Sequence, residues 1–371
     1  MKIGILTFHY VHNFGAVLQA YGLLQYIKSL GLDVHVIDYR NNRMNRYWNS
    51  PKLLPISLKE SLTSNLMHIF GNLIRLFILP VKLKRKKIFN SFAKRRLNLG
   101  KVNEYFDICV YGSDQIWGLA HIGDDMTFFG SEKIRAEKRI AYAASAGETE
   151  KELVDSPTIK ELLNNFNAIS VREDTLFKTL NNAGINCSLV LDPSLLCDEK
   201  VFSNIAINPK ISGKYIFCYR ALESNLLPKI ADKISEQLKC KPFEIKCTAD
   251  KNTIIEMLLP SRYKQFASPE EFLGYIQNAE AVVTTSFHGV AFSIVFRKSF
   301  YFISTGHKRE NRITSLLGQL GLSDRIIKEG EIPMFKKIDY KSPQFDGTSV
   351  EQKLYVLREY SRNWLKEALK R

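Results

Sequence analysis

Apolar and polar positions along the chain fall into two long series, and each series reads as strand, helix, strand. "KIGILTF" is an apolar run of strand length near the start. "AVLQAYGLLQYIKSLG", residues 16–31, carries apolar side chains at helical spacing and stops on Gly31. "DVHVIDY", residues 33–39, is the next strand, so the chain opens with a βαβ unit. "FDICVYG", "KRIAYAASAG" (138–147), "AISVRED" (168–174) and "CSLVLDPSLL" (187–196) continue the scheme, each an apolar strand running into polar residues. A second series holds "KYIFCYR" (214–220), a helix around 224–239, "PFEIKC" (242–247), "AEAVVTTS" (279–286) and "SFYFIS" (299–304). This alternation predicts two α/β domains with largely parallel sheets. The expected division is an N-terminal domain over 1–195, with a basic helical region at 56–100, and a C-terminal domain over 196–345. A final amphipathic helix, within 346–371, is expected to pack across the domains.

Composition agrees with two cores: the 371 residues are 45% hydrophobic. Six cysteines (Cys109, Cys187, Cys197, Cys218, Cys240, Cys247) form no CxxC pair, and several sit in apolar strands. They read as small buried hydrophobes in a reducing compartment, with neither disulfides nor zinc expected. No secretory apolar segment opens the chain. "LMHIFGNLIRLFILPV", residues 66–81, is interrupted by His68, Gly71, Asn72 and Arg75. It falls short of the roughly 20 uninterrupted apolar residues of a spanning helix, so a cytoplasmic protein is expected.

The net charge of +15 changes the picture because it is concentrated in "KLKRKKIFNSFAKRR", residues 82–96. Such a stretch either lies on the inner face of an anionic membrane, attracts a polyanion, or is a solvated helical face. Nucleic acid is not an expected partner, because no zinc-finger, RNP or helix-turn-helix pattern accompanies the charge.

Ligands of parallel sheets gather at the carboxyl ends of the strands. The polar residues there are His9, His12 and Asn13; Ser113, Asp114 and Gln115; Ser145; Arg172 and Glu173; Ser286 and His288. The loop "HYVHNFG" lacks GxGxxG, which removes Asp38 as a dinucleotide ribose ligand. In "TTSFHGV", Thr285 or Ser286 caps the next helix, whose start favours a phosphate or carboxylate. Gly289 would let the backbone approach that anion, and His288 would donate to it or carry a proton; a purely structural histidine is the alternative. Arg172 offers a planar fork to an anion, or else a salt bridge to Glu173 or Asp174. "STGHKRENRITSLL" supplies Lys308 one strand further on, while Arg312 precedes an amphipathic helix that it could cap or bridge. "YGSDQIWG" offers Asp114, Gln115 and the indole of Trp117 to a sugar, although Asp114 as a turn cap explains it equally. His9, His12 and Asn13 read as a polar loop bordering the cleft, without the further ligands a metal needs.

Together, "ILTFHYVHNFGAVLQAYGL", "VYGSDQIW", "AYAASAG", "ISVRED", "LDPSLL", "TTSFHGVAFSIVF" and "RENRITSLLGQLGL" resemble the polysaccharide pyruvyl transferase family. Residues 42–100 resemble it least. The resemblance implies two Rossmann-like domains facing a cleft, as in GT-B glycosyltransferases. It implies transfer of the pyruvyl group of phosphoenolpyruvate to two sugar hydroxyls, giving a cyclic ketal and phosphate. The acceptor would be a surface polysaccharide or its lipid-linked precursor, with no cofactor beyond the donor and no metal. The family's arginine, histidine and more distal basic residue fall on Arg172, His288 and Lys308. Donor binding is thus expected at Arg172, Ser286, His288, Gly289 and Lys308, with Arg172 and His288 catalytic. The acceptor is expected at His9, His12, Asn13, Asp114 and Gln115. Two rivals remain: a GT-B nucleotide-sugar glycosyltransferase, for which no E-x(7)-E pattern is visible, and a non-catalytic polysaccharide- or membrane-binding protein.

Overall fold

Strand β1 (Lys2–Leu6) pairs in parallel with β2 (Asp33–Ile37) on one side and β4 (Tyr105–Tyr111) on the other. β3 (Leu99–Gly100), β5 (Arg135–Ala144), β6 (Ala168–Val171) and β7 (Ser188–Leu189) complete a seven-stranded parallel sheet in the order β3-β2-β1-β4-β5-β6-β7. The second sheet is built from β8 (Tyr215–Arg220), β9 (Lys241–Lys246), β10 (Tyr263–Lys264), β11 (Ala281–Thr284), β12 (Phe300–Ser304) and β13 (Ile326–Lys328). Its order, β10-β9-β8-β11-β12-β13, repeats the first, and both are the doubly wound Rossmann arrangement. The computed structural model describes residues 1–49, 61–248, 253, 256, 259, 262–307, 310–328 and 349–370.

The sequence-predicted strands appear in place. Three further strands, β3, β10 and β13, are edge pieces of two or three residues, too short to show a period. The expected helices are observed at Phe14–Ser29, Leu226–Leu238 and Ser349–Lys370.

One apolar cluster joins the two sheets. It runs from Ile3 and Val17 through Phe202 and Phe272 to Phe292 and Leu365. Helix Phe14–Ser29 is buried on most sides because it packs on helices of both halves, and Phe14 stacks on Phe272 with centroids 4.6 Å apart. Separate clusters cover the outer faces of the two sheets. The tail helix Ser349–Lys370 bridges them. Ser361 accepts from the Leu191 amide, the Arg362 carbonyl accepts from Tyr26, and Arg297 pairs with Glu351.

In each sheet the strand order reverses at its first strand, between β1 and β4 and between β8 and β11. A crevice opens beyond the carboxyl ends of strands at such a point. The loops after these four strands all contribute to one cavity of about 780 Å³.

Candidate active site

Beneath the cavity lies a buried ion cluster. Arg172, at the end of β6, donates to Asp192 at 2.5 Å and to Asp114 at 3.2 Å. Its predicted partners, Glu173 and Asp174, are not the ones it finds; Glu173 instead accepts from Ser145. Asp192 also caps the turn after β7 by accepting from the Ser194 amide and hydroxyl. Burial opposes the charge on Asp192 and Asp114, yet the Arg172 guanidinium, with His288 beyond it, holds both carboxyls below the ordinary range. Asp114 has φ +74°, a conformation that costs a non-glycine residue energy, and its carbonyl is held by the amides of Ile116 and Ser145. Gln19 ties the loops together, donating to Thr7 after β1 and accepting from the Ser113 amide after β4.

Above this cluster two helices begin face to face. Asn13 caps helix Phe14–Ser29 by accepting from the amides of Gly15 and Ala16, and Ser286 caps helix Phe287–Val295 by accepting from Gly289. His288 spans the gap between them. A Cβ on Gly15 would stand 1.9 Å from His288 Nδ1, so only glycine admits the ring there. His288 Nε2 is buried with no hydrogen-bond partner among the described residues, and it lies 3.9 Å from Asp192. Burial depresses the imidazole pKa to about 4, outweighing the pull of Asp192 and Asp114, so the ring is neutral at pH 7.

Arg312, on the first turn of helix Asn311–Leu320, lines the same space. Two guanidiniums lie over the Phe287 ring, Arg172 at 5.1 Å and Arg312 at 5.6 Å from its centroid. Nε and Nη1 of Arg312 are buried without a partner among the described residues. Burial, and then the like charge of Arg172, lower its pKa to about 10. A cation held in this way is arranged for an incoming anion. Among the described residues it makes neither the cap nor the bridge that its place before an amphipathic helix offered. Neighbouring Glu310 is occupied, accepting from Ser304 and Thr305.

The opposite wall comes from Asp114, Gln115, His121 and helix Asn42–Asn49, which presents Arg43, Arg46, Tyr47 and Trp48. Gln115 Oε1 accepts from His121 Nε2 at 2.9 Å, and its amide nitrogen is buried with no hydrogen-bond partner among the described residues. Helix Asn42–Asn49 escaped the sequence reading, although Arg43 and Arg46 stand three apart, as do Met44 and Tyr47.

The structure brings together Asn13, Asp114, Gln115, Ser286 and His288 on the cavity lining, with Arg172 one layer below. Other expectations need correction. His9 does not line the cavity: its ring is fully buried between Asp38, at 2.9 Å, and the Thr7 carbonyl. That contact, with Arg40 added, holds the Asp38 carboxyl well below its usual range despite partial burial. His12 is packed against the rings of Trp48 and Phe89, where burial, and then Arg85, push its pKa down to about 3. Gly289 does not face the cavity either; its missing side chain makes room for Thr284, whose Oγ1 would lie 2.3 Å from a Cβ. Trp117 is no sugar platform, being fully buried and bonded to the Phe128 carbonyl; Trp48 is the indole on the wall. Lys308 lies outside the described residues.

A sequence model of polysaccharide pyruvyl transferases matches residues 13–307. The chain belongs to the polysaccharide pyruvyl transferase family. That match takes in the Asn13 cap, the Arg172 cluster and His288. No curated protein matches the sequence. Among solved structures, a UDP-N-acetylglucosamine 2-epimerase aligns over 99% of this chain and 95% of its own, with 12% identity and a TM-score of 0.51. The UDP-GlcNAc 2-epimerase of Methanocaldococcus jannaschii aligns over 97% and 100%, with 14% identity and a TM-score of 0.42. The first likeness is one of fold, two Rossmann-like domains facing a cleft in the GT-B manner.

Proposed function

We propose that this member of the family moves the pyruvyl group of phosphoenolpyruvate onto two hydroxyls of a sugar in a surface polysaccharide or its precursor. What carries the reading is a pair of cavity groups, Nε and Nη1 of Arg312 and Nε2 of His288, that are buried with no hydrogen-bond partner among the described residues and stand in the first turns of two helices. A donor bearing about three negative charges needs such guanidinium and helix-start contacts. Arg172 acts from beneath, holding Asp114, Asp192 and Phe287 in place.

The proton of the first hydroxyl passes through neutral His288 to the donor's methylene carbon, which becomes a methyl group, as the carbon–carbon double bond opens and the hydroxyl oxygen bonds to the C2 made electrophilic by that protonation. The second hydroxyl oxygen then bonds to C2 as the bond from C2 to the phosphate oxygen breaks, and its proton leaves with phosphate. The donor's negative charge raises the His288 pKa on binding, so the same imidazole serves as base and then as acid. Asp114, Gln115, His121 and Trp48 face the acceptor.

Phosphate release from phosphoenolpyruvate, screened over galactose, N-acetylglucosamine and N-acetylmannosamine acceptors, tests this. With a competent acceptor, His288→Ala lowers kcat about 10²–10⁴-fold at unchanged Tm, the range for a lost general acid–base. Arg312→Gln raises KM for phosphoenolpyruvate at least about tenfold, as expected for a lost charge-assisted contact. Near-normal turnover in His288→Ala removes its role. Calorimetric binding of a nucleoside diphosphate, with no response to phosphoenolpyruvate, would instead establish the nucleotide-sugar rival.

A further inference from the structure

Helix Leu62–Arg96 has two dissimilar halves. From Ile78 onward it is rooted in the protein: Ile78, Val81, Phe89 and Phe92 are buried, and Arg85 donates to the Lys246 carbonyl. Before Ile78 it is largely bare. Leu66, Met67, Phe70, Leu73, Leu76 and Phe77 are between 48% and 76% exposed. By length and composition the helix contains a stretch apolar enough to cross a membrane.

The distribution of its side chains argues for lying in a membrane surface rather than crossing it. At 3.6 residues per turn those six side chains fall within about half the circumference. The other half carries Asn65, His68, Asn72 and Arg75, which a spanning helix would have to bury in hydrocarbon. A broad apolar half-cylinder with a polar back is the form of an interfacial helix.

Charge decides what covers it. Leu62–Arg96 contains nine lysines and arginines and no acidic residue. Lys84 and Lys87 are exposed just beyond the apolar half, and Lys86 is half-buried beside them. A second copy of the chain would set two such segments against each other, like charge on like; anionic headgroups complement them. We propose that the arm Leu62–Phe77 docks on an anionic membrane, its apolar arc in the headgroup–acyl boundary and Lys84, Lys86 and Lys87 on the headgroups.

The same helix packs on helix Asn42–Asn49, which walls the acceptor side of the cavity. A docked arm therefore brings that wall to the bilayer, and the acceptor class that fits is a lipid-linked sugar. This last step rests on the pyruvyl-transfer reading; the docking does not.

Flotation of the full chain tests the docking independently of any activity. The probes are vesicles of phosphatidylethanolamine with about one third phosphatidylglycerol, and vesicles of phosphatidylcholine alone; near-neutral and anionic surfaces separate the two contributions. The expected result is recovery with the anionic vesicles, at least tenfold weaker on phosphatidylcholine and weakened by salt. Leu66→Glu/Phe70→Glu/Phe77→Glu should lose binding, and Lys84→Gln/Lys86→Gln/Lys87→Gln should lower it at least tenfold. Apart from half-buried Lys86, both variants change exposed positions, and unchanged thermal unfolding verifies that they fold. No flotation by the native chain overturns the proposal, as does binding indifferent to vesicle charge or to either variant. A dimer by light scattering that fails to float, and that the glutamate variant dissociates, overturns it and assigns the arm to a second copy.

Discussion

At the scale of single residues, the site depends on charge and burial more than on residue identity. Arg172 was legible as a functional arginine, but its partner Asp192 was not, because twenty positions of chain separate them and only the fold closes the gap. Removing the guanidinium leaves Asp114 and Asp192 without their buried counter-charge. Arg172→Ala should therefore cost stability as well as activity, about 3–5 kcal/mol for a broken buried pair, read as a lowered midpoint in urea. An unchanged midpoint would show that the cluster does not hold the loops. The two depressed histidines give a second outcome. Below the ordinary imidazole pKa of 6.5, the unfolded chain takes up protons at His288 and His12 that the folded chain refuses until about pH 4 and about pH 3. The unfolded state binds more protons in that window, so stability rises with pH there, by about 1.4 kcal/mol per pH unit for each histidine. Asp114 and Asp192 add their own loss only at the lower end, as pH falls below the usual carboxylate range. Buried Glu244, its carboxyl pushed up to about 7, works the other way over the same window, so the test is a difference: His12→Leu should lower the slope of thermal stability between pH 4 and 7 relative to the native chain, and an unchanged slope would contradict the burial argument for that ring.

At the scale of elements, the strand-to-helix corners carried most of what could be read in advance. Helical period, a capping Thr or Ser, and strands ending in polar residues are local features, so β1, β4, β8 and β11 and a cap at Thr285 or Ser286 were visible without a structure, whereas Asn13 read only as a polar loop residue and not as the cap it is. The reason for a glycine was less visible. Gly289 suggested an approach to a ligand and instead accommodates Thr284, whereas Gly15 lets one domain's helix start accept the other domain's histidine. Gly15→Ala places a methyl group against His288 Nδ1. It should lower kcat by an order of magnitude or more through displacement of the ring, with overpacking costing about 1–3 kcal/mol. A Gly15→Ala protein with native kcat would show that the imidazole tolerates another position. Helix Asn42–Asn49, with Arg43 and Trp48 on the cavity wall, lay in the part of the chain that least resembled the family.

At the scale of the whole molecule, one apolar cluster running through both sheets makes the domains a unit, and the tail helix fastens it. Leu365 is fully buried in that seam. Leu365→Ala should cost about 2–5 kcal/mol, as cavity-forming substitutions do, seen in thermal unfolding as one lowered transition. A loss confined to one of two separate transitions would mean that the domains unfold independently. The sequence alone determined the two α/β halves, their strand series and the polar residues at strand ends, because period and capping are encoded over a few neighbouring positions. Only the tertiary structure decided which of those residues meet. His9 and His12 went into packing, while Arg312 and Trp48 reached the cavity. Facing helix starts, a shared glycine contact and a guanidinium whose Nε and Nη1 have no hydrogen-bond partner among the described residues arise from long-range packing, which no local pattern specifies.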